Sequence, residues 1–302
     1  IKFTEANVNV ACTGDIRTLL DWRNYNIVET RNARFCYLFL NCSVLTSAPE
    51  LPATKLAVSC YTSMFAGCTS LTAAPELKTT ELAASCYNNM FYGCTSLTSA
   101  PELKATTLAD QCYFAMFSRC TSLTSAPELK ATTLADECYS SMFYGCTSLT
   151  TAPELKATTL ANNCYQYMFS GCTSLTSAPE LKATTLVGSC YESMFSGCTS
   201  LEKAPELKAT TLANYCYDSM FNGCTKLSSV TMLAPSDQIS KATNCCYNWL
   251  YNAGTDPTVK SRTLIVTDEA AYNALVRKTI YLPDNWKKDA TNTTVKYYTP
   301  KP

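Results

Sequence analysis

Nineteen cysteines and no histidines bound the chemistry open to this 302-residue chain. Thiols can bridge, ligate a metal or act as nucleophiles, and each role needs a recognisable spacing or partner. Cys60, Cys86, Cys112, Cys138, Cys164, Cys190 and Cys216 recur every 26 residues, as do Cys42, Cys68, Cys94, Cys120, Cys146, Cys172, Cys198 and Cys224. Cys60 and Cys68 lie eight apart, which is not metal-ligand spacing, and no CxxC occurs. Without histidine, a thiol nucleophile lacks its usual base and a metal its commonest ligand. The expected role is therefore that of small buried hydrophobes in two ladders of reduced thiols. Bridging stays open in the irregular parts, among Cys12, Cys36, Cys245 and Cys246.

Aromatic and charged residues keep the same period. Tyr61, Tyr87, Tyr113, Tyr139, Tyr165, Tyr191 and Tyr217 form one row, and Phe65, Phe91, Phe117, Phe143, Phe169, Phe195 and Phe221 another. Such rows either stack on sugar rings or pack as a ladder in a core. A packed ladder at the core and its margin is expected for both rows, with the Tyr hydroxyl in need of water or a partner. Glu76, Glu102, Glu128, Glu154, Glu180 and Glu206 each stand two residues before a lysine, from Lys78 to Lys208. These carboxylates are not an acid/base pair. A row of one charge beside a row of the other makes a solvated stripe.

Two classes of position are candidates for binding. The variable pairs, such as Asp110-Gln111, Asn214-Tyr215, Phe114-Ala115 and Gln166-Tyr167, differ from unit to unit, whereas the segment TSLTSAPEL barely changes. Variation is compatible with an unconstrained solvent face, and uniformity with a platform that repeats the same groups every ~5 Å. The candidate ligand face accordingly draws on both: Phe114, Tyr167 and Tyr215 from the first class, and Thr98, Ser99, Glu102 and Lys104 from the second.

The elements that must position these residues follow from one unit, CYxxMFxGCTSLTxAPELKATTLAxx. A fixed period of this length signals stacked repeats. The LTSA segment predicts a parallel strand of ~3 residues, ended by the proline because it has no N–H to donate. Leu108, Cys112, Met116 and Cys120 at spacing four predict a short helix, with Thr107 as N-cap and Asp110 and Asp136 in first turns. Its stop is placed at Gly67, Gly93, Gly145, Gly171, Gly197 and Gly223, the residue type suited to φ > 0 after a helix. One unit has Arg119 there, which must then take φ > 0 at a cost of roughly 1 kcal/mol. The predicted fold is an α/β repeat solenoid, a right-handed coil with short parallel β-strands on one face and short helices on the other.

The ends depart from the pattern. Residues 1–34 read as an N-terminal cap or the remnant of an upstream region, with a weak strand at Val8–Cys12 and a short apolar stretch at Thr18–Trp22. Residues 35–254 are the solenoid, opening on a degenerate unit at Phe35–Cys42. It closes on another at Cys246–Gly254, after an insertion that lengthens the step from Cys216 to 30 residues. Residues 255–302 read as an αβ cap: a strand over Arg262–Val266, a helix near Asp268–Lys278 capped by Thr267, and a last strand over Val295–Tyr298.

The repeat MFxGCTSLTxAPELxATTLAxxCY resembles the BspA-type leucine-rich repeats of surface proteins from Bacteroides-like gut and oral bacteria. The resemblance covers about residues 35–254, and the tail over 261–288 is also similar to the ends of such proteins. It implies a leucine-rich-repeat solenoid, export to the cell surface, and adhesion or ligand binding, with no catalytic residues to carry over. The chain opens at Ile1 without a signal-like segment, so either a processed or a trimmed form is expected. With 24 basic and 24 acidic residues the net charge is zero, which gives no footprint for nucleic acid. No apolar run approaches the ~18 residues of a membrane span. The expected molecule is a monomer without cofactor or metal that binds a protein or glycan. The alternative is a stalk that supports an upstream binding domain.

Overall fold

A computed structural model describes residues 8–27, 35–278 and 280–299. Parts of the expected N-terminal cap, residues 1–7 and 28–34, lie outside the described residues. From Phe35 onward the chain winds a parallel β-solenoid of about nine turns. The repeat rows stack as the period requires. Phe rings from Phe39 to Phe221 lie face to face with centroids 5.4–5.8 Å apart. Phe35 and the Tyr rings from Tyr61 to Tyr217 form a second stack at 5.8–6.1 Å. Both stacks are buried, with the methionine row and the leucines of each coil, in one continuous core. No single coil closes this apolar face, so neighbours must cover it.

The helical face does not form. Ser85, Asn89 and Gly93 in one coil, and Gln111, Ala115 and Arg119 in the next, all have φ between 49° and 68°. A left-handed residue at every fourth position excludes an α-helix. The segment is instead a ribbon of overlapping turns. Alternate N–H groups close back three residues, as Cys86 to Ala83 and Asn88 to Ser85. The intervening ones donate to the next coil: Ser85 to Asp110, Tyr87 to Cys112, Asn89 to Phe114, Phe91 to Met116 and Gly93 to Ser118, at 2.8–3.0 Å. A spacing of four cannot distinguish this ribbon from a helix, because both point Cys112, Met116 and Cys120 inward. The ribbon prevails because half of its N–H groups are spent on stacking, which ties coil to coil. Asp110 and Asp136 cap no helix; each carboxylate accepts the N–H of the following coil's counterpart, Asp136 and Asn162, at 3.2 and 2.9 Å.

The opposite departure occurs in the strands. In the central repeats the expected three-residue strands shrink to isolated parallel bridges, such as Ser99 to Ser125, Ser125 to Thr151 and Thr151 to Ser177. Each is followed within two residues by the proline that interrupts the ladder. Longer strands stand at the ends. At the N-terminal side β1 (Val10–Ala11) pairs with β2 (Leu45–Ser47). At the other end β3 (Lys203–Leu207), β4 (Ser229–Met232), β5 (Arg262–Val266) and β6 (Thr293–Tyr297) form a parallel sheet in that order. Strands β4 to β6 contain no proline.

Between β4 and β5 lies α1 (Ser236–Lys241), and after β5 comes α2 (Glu269–Arg277), capped by Asp268, whose carboxylate accepts the Ala271 N–H at 2.8 Å. Thr267, the expected cap, instead donates its hydroxyl to the Ala234 carbonyl at 3.4 Å. The sheet and the core both run through residue 255 without a break. The last coil also corrects a register. Tyr217, Ser219, Phe221 and Gly223 donate to Cys245, Tyr247, Trp249 and Tyr251. By the rule of the earlier coils this makes Cys245 the counterpart of Cys216, a step of 29 residues and not 30. Positive φ at Asn244, Asn248 and Asn252 matches Tyr215, Ser219 and Gly223 in the same register.

Candidate functional site

The thiols form no site. No disulfide joins any of the 19 cysteines, and those of the two ladders are buried. In one ladder each thiol donates to a phenylalanine carbonyl of the preceding coil, from Cys68 on Phe39 to Cys224 on Phe195, at 3.0–3.1 Å. Burial pushes the thiol of Cys60 up to about 11 and those of Cys112, Cys146, Cys164 and Cys216 to about 12. A thiolate is disfavoured there, and with it nucleophilic or metal-binding character. Cys245 differs: a hydrogen bond with Cys246 pulls its thiol down, against its own burial, with help from Tyr281 and Lys278. No group of three metal-ligating side chains occurs among the described residues.

The Tyr row belongs to the core and not to a ligand surface. Each ring from Tyr61 to Tyr217 is at most 2% exposed, and desolvation holds the hydroxyls far above their ordinary value.

The seven candidate residues fall on different edges of the coil. Thr98, Ser99, Glu102 and Lys104 lie on the bridge-bearing edge. Lys104 reaches back to Glu76 of the preceding coil at 2.8 Å, and Lys130 takes Glu102 at 2.7 Å. The same step repeats for Lys156 with Glu128, Lys182 with Glu154 and Lys208 with Glu180. The hydrogen bond from Lys104 holds the Glu76 carboxyl below its usual range, and that from Lys130 does the same to Glu102. The carboxylates from Glu76 to Glu180 are thus each matched by a lysine of the next coil, and nothing sets Glu102 or Lys104 apart from their counterparts.

The ribbon edge is different. Phe114 and Tyr167 line a shallow open depression of about 340 Å³ together with Tyr92, Tyr144 and Arg119. Asn89, Ser118 and Ser141 supply polar groups in the same depression. Arg119 has φ 60°, as its place in the repeat requires, and its N–H donates to the Tyr144 carbonyl at 2.6 Å. Its guanidinium stands 5.7 Å from the centroid of the Tyr92 ring. At the other end the Tyr167 hydroxyl donates to Glu192 at 3.3 Å. Burial and the Glu192 charge raise the Tyr167 hydroxyl above its ordinary value. Tyr215 is 40% exposed on the same edge but is not part of the depression.

Sequence reasoning therefore found two of the four rings and missed Tyr92, Tyr144 and the place of Arg119 among them. A signal existed. Tyr92 and Tyr144 occupy the position held elsewhere by Ala66, Ser118, Ser170, Ser196 and Asn222. Only stacking, however, brings rings from four successive coils to one place.

A family model described as the BspA type leucine-rich repeat region matches residues 35–167 and 117–251, with six copies. Among solved structures, the crystal structure of the pneumococcal vaccine antigen PcpA is similar over 83% of this chain and 68% of that chain, at 15% identity and a TM-score of 0.34. No curated protein matches the chain.

Proposed function

We propose, from the premise that this chain belongs to the BspA-type leucine-rich repeat family, that it is an exported surface protein that binds a protein or glycan through its ribbon edge and does no chemistry of its own. One observation carries this reading. Tyr92, Phe114, Tyr144 and Tyr167 gather on four adjacent coils, at outward positions where most other repeats have small or polar residues. A stalk needs only an even, polar surface, and such a cluster, with Tyr144 and Tyr167 exposed and Tyr92 and Phe114 half-buried, marks an interaction surface. The proposed molecule is a monomeric rod without cofactor, with residues 255–302 as its closing cap. No helix among the described residues is long and apolar enough to cross a membrane.

The test is binding of the whole chain to panels of extracellular-matrix proteins, bacterial surface proteins and immobilised glycans, repeated with Tyr144→Ser and Tyr167→Ser. Serine stands at both positions in other units, so both variants should fold. Binding that falls at least about tenfold in each variant supports the reading. Binding by neither the wild type nor the variants, with unchanged melting, leaves the stalk as the function.

A further inference from the structure

We infer that the depression on the ribbon edge takes a glycan that ends in a carboxylate-bearing sugar, with the carboxylate on Arg119. This deepens the binding function proposed above and rests on it. Three observations converge on Arg119. First, it is the only departure from glycine among the seven full repeats, where Gly67, Gly93, Gly145, Gly171, Gly197 and Gly223 hold the position. A left-handed φ of 60° disfavours arginine there, yet the departure falls inside the aromatic depression. Second, the neighbouring coils leave room for its side chain. A Cβ on Gly93 would meet nothing within 4 Å, and one on Gly145 would lie 3.6 Å from the Arg119 Cγ. Third, the ion pairs among the described residues include every lysine of the stripe from Lys104 to Lys208 but not Arg119. Its guanidinium, exposed beside the Tyr92 ring, therefore offers a two-pronged donor without a carboxylate partner.

The rest of the depression fits a sugar better than an extended acidic peptide. It is shallow and compact, and its lining includes the rings of Tyr92, Phe114, Tyr144 and Tyr167, against which the C–H side of a pyranose can pack. The hydroxyl groups of a sugar find acceptors at the opposite end, where Glu192 already takes the Tyr167 hydroxyl and Asp218 adds to the same negative field. That field also sets a limit. One carboxylate seats on Arg119, but a chain of closely spaced negative charges would be carried onto Glu192 and Asp218. The site should select a single acidic residue over a polyanion.

The probes are 3′-sialyllactose and a glucuronate-ended oligosaccharide, each compared with lactose and heparin, titrated into the whole chain. At least one acidic probe should bind about 10- to 100-fold more tightly than lactose, the range expected for a hydrogen-bonded charge pair. Heparin should gain no such advantage. Arg119→Gly restores the residue of the other repeats, so it should fold, and it should erase the preference for the acidic probe. Tyr144→Ser should weaken every bound sugar. The inference is overturned by lactose binding as well as both acidic probes, by heparin binding best, by an acidic peptide displacing the sugar with equal affinity, or by the preference surviving Arg119→Gly. Binding of neutral glycans or proteins that depends on Tyr144 but not on Arg119 overturns the carboxylate assignment and leaves the binding function standing. No binding in any panel overturns both.

Discussion

Two edges of each coil solve the stacking problem in different ways, and the difference accounts for where the molecule can vary. On the ribbon edge the backbone does the stacking. Every second N–H donates to the next coil in every repeat, so the register is set by the backbone, and side-chain links such as Asp110 to the Asp136 N–H or Gln111 to Glu137 are added at the outward positions only where the residues allow. Those positions hold Ser, Asn, Gln, Glu, Ala and Tyr even where φ is positive. On the bridge edge proline interrupts the ladder in each central repeat, and the backbone contributes only isolated bridges. Side chains supply what is missing: each lysine from Lys104 to Lys208 pairs with the glutamate of the preceding coil, and the Thr124 hydroxyl donates to the Thr98 carbonyl. Residues there are held to type by their neighbours. Binding specificity is freer to develop on the edge whose stacking runs mainly through the backbone.

The comparison can be broken most sharply in the core that both edges enclose. Phe143→Ala removes one ring from the middle of the stack, where Phe117 and Phe169 lie 5.8 and 5.7 Å away. It should cost about 3–5 kcal/mol by denaturant titration, as for other large-to-small core changes. A loss under about 1 kcal/mol would mean that the coils do not depend on continuous stacking.

Next in size is alkaline unfolding. The buried thiols and hydroxyls have folded pKa values raised above the unfolded values of 9.0 and 10.0. Their contribution is therefore fully present below pH 9 and is lost as pH rises through and beyond 10. A pH series followed by circular dichroism should show a plateau up to about pH 9 and then a steep fall. Native protein should react with a thiol reagent at few of its cysteines, and denatured protein at all 19.

The ribbon itself is probed by Arg119→Gly, which should stabilise the chain by about 1 kcal/mol through relief of the left-handed conformation. The smallest effect belongs to the ion-pair stripe. Lys130→Ala removes an exposed partner of Glu102, and the melting temperature should not change measurably, because solvent screens such pairs. A clear fall would show that side-chain pairing on the bridge edge contributes more than its exposure suggests.

Much of this was legible in the residues. The buried Phe and Cys rows, the positive φ of Arg119 and the strand at Arg262–Val266 all follow from period and residue type. The helix over Leu108–Cys120 did not form, because a period near four fits two backbones that differ only in where alternate N–H groups donate. The register of the last coil is not legible at Cys245-Cys246, since either cysteine suits a sequence match and only the ladder from Tyr217 distinguishes them. For the candidate surface, Phe114 and Tyr167 stand out in the sequence as variable outward aromatics, whereas nothing in the sequence joins Tyr92, Tyr144 and Arg119 to them. Residues 22 to 27 positions apart become neighbours only through the coil-to-coil step.

The sequence by itself determined that identical units stack and which side chains they bury, because apolar area and a strict repeat leave one economical way to cover a shared core. Only the tertiary structure decided what the outer backbone does and which exposed residues meet. Both depend on hydrogen bonds between coils, whose donors and acceptors are present in every residue and so leave no mark in the one-letter code.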